Sequence, residues 1–159
     1  MRRITGTEIE EVTMQRMIPL LAILSAACGG GGSLDTDTQP VVGAWTAEVS
    51  AVGEDGHSGF ATVTILPGGT TRADATLAGG SAGGKHPWVI HEGTCEAEGA
   101  LVGDSDGYPP LEPNDLGNAS ATATLAVVLA SGEPYALRIY RSPEDRETIV
   151  GCGELESTR

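Results

Sequence analysis

Two imidazoles and a thiol fall within ten residues of this chain: His86-Pro87-Trp88-Val89-Ile90-His91-Glu92-Gly93-Thr94-Cys95. A second thiol, Cys152, stands between two glycines near the C-terminus. Imidazole nitrogens and thiolates are the side chains that hold first-row transition metals, and paired thiols form crosslinks in an oxidising compartment. The supply is short for redox chemistry. The chain has three histidines in all, whereas a copper centre that changes oxidation state takes about three to four imidazoles. His57 falls in a turn and His86 faces the Trp88 side of its strand, which leaves His91 as the well-placed ligand. His91 and His86 are the candidate imidazole ligands, and one histidine cannot hold catalytic copper.

Other chemistries find less support. Asp104, Asp106, Glu112 and Asp115 could offer oxygen to calcium. But Asp104-Ser105-Asp106-Gly107 lacks the full spacing and terminal glutamate of a calcium loop, so a solvated acidic loop is expected. Ser81 and Ser105 sit in no nucleophile elbow between a strand and a helix. The glycine runs precede neither a helix nor a Lys-Ser/Thr pair, so no phosphate cradle is present. The formal charge of −13 argues against nucleic acid and anionic lipid surfaces, which recruit Lys and Arg.

The elements that must position these residues read as strands. Trp45, Ala47, Val49 and Ala51 alternate with polar residues, as do Ala61, Val63 and Ile65, then Ala73, Ala75 and Leu77. Glu54 to Gly59 and Pro67-Gly68-Gly69 are turns between them. The His86 run, residues 121–129, 135–141 and 148–155 supply further strands, and residues 96–117 form a long acidic loop. No segment has capped helical periodicity. Short strands at regular spacing predict an all-β domain, an antiparallel sandwich or barrel. Alternation puts Trp88, Ile90, Leu137 and Ile139 inward, with Val89, His91, Arg138 and Tyr140 outward.

The N-terminal part reads as an address. Met17 to Leu24 is an apolar run too short to span a bilayer and suited to a secretory leader. Leu24-Ser25-Ala26-Ala27-Cys28 resembles the bacterial lipobox, so residues 1–27 are expected to be removed and Cys28 to carry lipid. Glu8, Glu10 and Glu11 are unusual before such a run, so translation is expected to start at Met14 or Met17. Gly29-Gly30-Gly31-Gly32-Ser33 begins a flexible tether over 28–40, and 41–159 is a single β domain. The membrane would be met through the lipid, and the location would be the cell envelope: outer membrane, periplasm or cell surface. Setting Cys28 aside leaves Cys95 and Cys152, either a disulfide or two free buried thiols.

The His86–Glu92 motif, Cys95, Asp115-Leu116-Gly117-Asn118 and Gly151-Cys152-Gly153 together resemble the copper/zinc superoxide dismutase family. The resemblance implies a Greek-key barrel, with Cys95 and Cys152 as its intrasubunit disulfide. It implies that His91 matches a copper ligand and Asp115 the zinc aspartate. Val89 and Tyr140 stand where that family has further copper histidines, and Ile149 where it has a guiding arginine. The expected protein is a tethered lipoprotein whose superoxide dismutase-like domain has a binding or structural role, without catalysis and without a cofactor. The alternative is a divergent copper or zinc metalloprotein acting on superoxide through His91, His86 and Asp115 or Tyr140. A chordin-type repeat module is a third reading.

Overall fold

The computed structural model describes residues 41–158. The expected leader, Cys28 and the tether lie outside the described residues.

The described chain is all-β, with one 3-10 turn at Ser105–Gly107. Period-two alternation sets the first three strands: β1 (Gly43–Ala51), β2 (Ser58–Leu66) and β3 (Thr70–Ala78) form consecutive antiparallel hairpins. Ala47, Val49, Ala61, Val63, Ile65, Ala73 and Ala75 are buried while Thr46, Thr62, Thr64 and Thr76 face outward, as a half-buried sheet requires. The remaining strands are β4 (Trp88–Gly93), β5 (Glu98–Leu101), β6 (Ala119–Leu125), β7 (Tyr135–Tyr140), β8 (Ile149–Glu154) and β9 (Glu156–Ser157). They form one curled sheet in the order β5-β4-β7-β8-β1-β2-β3-β6, and β9 also pairs with β1.

β1 joins the two halves. It pairs with β2 along most of its length, with β8 at Ser50 and Ala51, and with β9 at Trp45 and Thr46. The curl brings the inner faces together around Trp45, Val49, Val63, Leu77, Trp88, Ile90, Leu137 and Ile139. Many other core positions are alanine, including Ala61, Ala73, Ala75 and Ala123. Such small side chains bury little apolar area each, so crosslinks and polar anchors carry a larger share of stability.

The stretch expected to be one long loop is more ordered than its composition suggests. It contains β5 and the 3-10 turn, and it buries Val102, Tyr108 and Leu111. Leu111 exchanges two backbone hydrogen bonds of 2.9 Å with His86. Trp88 donates from Nε1 to the Pro109 carbonyl at 2.6 Å, and its ring meets Tyr108 edge-on at 5.1 Å. Buried side chains such as Val102, Tyr108 and Leu111 pin this acidic, Gly- and Pro-rich run across the sheet. The expected strand over 121–129 likewise ends earlier, at Leu125, and the His86 run becomes regular strand only from Trp88.

Cys95 and Cys152 form a disulfide with Cα atoms 5.9 Å apart. Gly93 makes this reach feasible. Its φ is +98°, and a Cβ there would lie 2.2 Å from the Ala97 carbonyl oxygen. The β4–β5 register shifts at this position, as at a bulge that lets glycine turn the chain back.

Two predictions follow from these anchors. Replacing both Cys95 and Cys152 with serine should lower the unfolding free energy by about 4 kcal/mol, the chain-entropy value for a loop of this size, as read by urea titration. The Tyr108 hydroxyl donates to the Val102 carbonyl at 2.6 Å, and burial pushes the phenol up to about 12. A phenol raised above its unfolded value of about 10 contributes stability that is full below that pH and lost as pH rises through the folded value. Tyr108→Phe should therefore flatten the stability loss between about pH 10 and pH 12 relative to the parent, measured by denaturant melts.

Candidate functional site

The outward positions of β4 and β7 alternate as expected, yet they do not face solvent. Val89, His91 and Arg138 are all buried; after the register shift at Gly93, residues 94–101 form a flap that meets His91 and Arg138, and the disulfide holds it. Alternation reports which face a side chain takes. It does not report what covers that face.

Arg138 is the centre of this layer. It lies in register with Val89 on β4 and Cys152 on β8, and only 3% of it is exposed. One guanidinium nitrogen, Nη1, pairs with the Glu98 carboxylate; Nη2 donates to the carbonyls of Thr94 at 3.1 Å and Cys95 at 3.3 Å. Nε is buried without a partner. A buried cation needs this degree of answering to be tolerated. The flap is thus tied down twice, once covalently at Cys95 and once electrostatically at Glu98.

His91, 9% exposed, belongs to the same layer. Its Nδ1 lies 3.3 Å from the Gly99 carbonyl oxygen, and Nε2 lies 3.2 Å from both the Tyr140 hydroxyl and the Glu98 carboxylate. A protonated Nε2 donates to Glu98, and an unprotonated one accepts from Tyr140. Burial, then the Glu98 carboxylate, push the Tyr140 phenol up, opposed by Arg138 and Arg146. Tyr140 consequently stays protonated and able to donate at neutral pH. Both ring nitrogens of His91 already have partners.

His86 sits elsewhere and is 6% exposed. Its Nδ1 lies 3.3 Å from the Tyr140 main-chain carbonyl oxygen, so it and His91 meet different atoms of Tyr140. Its ring packs edge-on against His57, with centroids 4.7 Å apart. Asp115 is exposed in a turn organised by Asn114, whose Oδ1 accepts from the Leu116 and Asn118 amides at 2.9 and 3.1 Å. No hydrogen bond or ion pair joins Asp115 to either histidine. Among the described residues, no three His, Cys, Asp or Glu side chains converge as a metal-binding group.

No protein-family model matches this chain, and no curated protein matches it. The chemistry therefore rests on the geometry.

Two features escape sequence reasoning. The Arg138–Glu98 pair had one local signal, a single arginine inside Tyr135-Ala136-Leu137-Arg138-Ile139-Tyr140. The His57–His86 pair had none, because it forms only when the amide of His57 bonds to the Val150 carbonyl at 2.7 Å and the residue folds against β8. Together the pair borders a cleft of about 690 Å³, with Asp55, Ser81, Lys85 and Arg141 also on its walls.

The Arg138 layer is open to a double-mutant cycle. Arg138→Met should cost about 2 kcal/mol of unfolding free energy, the range for hydrogen bonds to a charged group. Glu98→Gln alone should cost at least as much, because it leaves the buried Arg138 cation without its counter-charge while the reverse change leaves only a half-exposed carboxylate, and the two losses should be strongly non-additive in urea titrations.

Proposed function

We propose that this chain is a bacterial envelope lipoprotein whose β domain has a binding or structural role without superoxide chemistry. In this reading Cys28 carries the lipid, the glycine-rich segment is the tether, and residues 41–159 form a superoxide dismutase-like Greek-key domain. The strand order supports the Greek-key assignment: β6 returns beside β3 and β7 beside β4, each after a crossing of the sheet. The Cys95–Cys152 bridge supports it too, since the resemblance implies that pairing.

One observation carries the non-catalytic part. Both His91 ring nitrogens are engaged, by Gly99 and by Tyr140 and Glu98. Val89 and Tyr140 occupy the positions where the resemblance would require further imidazoles. A redox metal needs several lone pairs aimed at one point, and this layer directs its polar atoms at one another.

The test is expression of the full chain in a bacterial host, followed by intact-mass measurement, metal analysis and a superoxide assay. The expected product begins at Cys28, carries acyl mass and stays with membranes, and Cys28→Ala releases it. Copper-loaded protein should show no superoxide dismutation above the background of free copper. An unprocessed soluble product would defeat the tethering; stoichiometric copper with superoxide-dismutating activity would defeat the non-catalytic assignment.

A further inference from the structure

The His57–His86 pair contrasts with His91 in one respect: one nitrogen of each ring is unanswered. His57 Nδ1 and His86 Nε2 are both buried with no hydrogen-bond partner. On His86 the other nitrogen, Nδ1, is placed to donate to the Tyr140 carbonyl at 3.3 Å. A donor at Nδ1 leaves Nε2 as a bare lone pair, the arrangement by which a backbone carbonyl sets the tautomer of a metal-ligating histidine. An unsatisfied buried nitrogen is destabilising, and here two occur on rings in contact.

Two glycines lie beside these nitrogens. A Cβ on Gly84 would lie 3.2 Å from His86 Nε2, and one on Gly79 would lie 3.9 Å from His57 Nδ1. Glycine thus stands next to each orphaned nitrogen, where a larger residue would crowd His86 Nε2. The rings also have suitable spacing. Two imidazoles sharing one tetrahedral ion, each bonded at about 2.0–2.1 Å, hold their centres about 5 Å apart; these stand at 4.7 Å, inclined by 78°.

We propose that His57 Nδ1 and His86 Nε2 form a two-histidine site for a divalent transition-metal ion at the head of the cleft. Two protein ligands leave the other coordination positions to water from the cleft or to Asp55. The Asp55 carboxylate acts electrostatically on His57 and is now held by Arg141 at 3.2 Å. The site uses neither His91 nor the Arg138 layer, so it stands whether or not the domain is superoxide dismutase-like. Its ligand class is a borderline-soft divalent ion such as Zn²⁺, since imidazole suits such ions and calcium or magnesium prefer oxygen.

Calorimetric titration of the purified full chain with Zn²⁺ should show one ion bound per chain. His57→Gln removes a partly exposed ligand and should weaken binding at least about tenfold, comparable to or greater than the loss of a supporting contact at a metal site. Gly84→Ala keeps both ligands but crowds Nε2, and should weaken binding while the fold, followed by circular dichroism, is retained. His91→Gln should leave Zn²⁺ affinity unchanged. Imidazole ¹⁵N shifts should assign coordination to Nδ1 of His57 and Nε2 of His86. The proposal fails if no Zn²⁺ binds, if His57→Gln binds it as tightly as the parent, if His91→Gln loses it equally, or if the shifts place the metal on other nitrogens.

Discussion

Arg138 carries a positive charge into a layer that excludes water, and everything on that side of the sheet is arranged to answer it. The guanidinium takes a carboxylate from Glu98 and two carbonyls from the 94–95 backbone. Those partners lie on the flap that the Cys95–Cys152 bridge ties to β8. The bridge holds the flap at Cys95, and Arg138 holds it at Glu98 and at the Thr94 and Cys95 carbonyls, so the two anchors support one another. In a core so rich in alanine, this coupling contributes much of what holds the outer face shut.

The consequence is a division of the molecule's polar chemistry. On the outer layer, His91, Tyr140, Glu98 and Arg138 engage one another, with Arg138 Nε the one buried side-chain atom there that lacks a partner among the described residues, and such a network rigidifies a surface. At the cleft, His57 and His86 have buried nitrogens that nothing satisfies. Burial and the neighbouring His86 both lower the proton affinity of His57, opposed by Asp55 and the Gly79 backbone. Buried imidazole nitrogens without partners are the opposite of an engaged network, and they lie beside Gly79 and Gly84.

Much of the architecture was legible in the residues. Trp45, Ala47 and Val49 alternate so regularly with polar neighbours that β1 could have no other form, and Pro67-Gly68-Gly69 marks the β2–β3 turn. The acidic run 96–117 misled because its composition is that of a loop, while Val102, Tyr108 and Leu111 are too sparse to show a period. The outward face of β4 and β7 misled for a different reason. Period two assigns a side chain to a face, but the flap that covers this one arrives from a segment the alternation does not describe.

From the sequence alone came the all-β class, most strand positions, the choice of Cys95 and Cys152 as the two thiols free to pair, and the shortage of histidine that argues against catalytic copper. These depend on local period, turn chemistry and counting, which need no knowledge of distant contacts. The tertiary structure decided that Cys95 and Cys152 are joined, that Arg138 is buried and paired, and that His91 is occupied on both nitrogens. It also decided that His86 meets His57, not His91. Each is a contact between residues far apart in the chain, created when β1 joins the two halves of the curled sheet, and no local pattern encodes such a meeting.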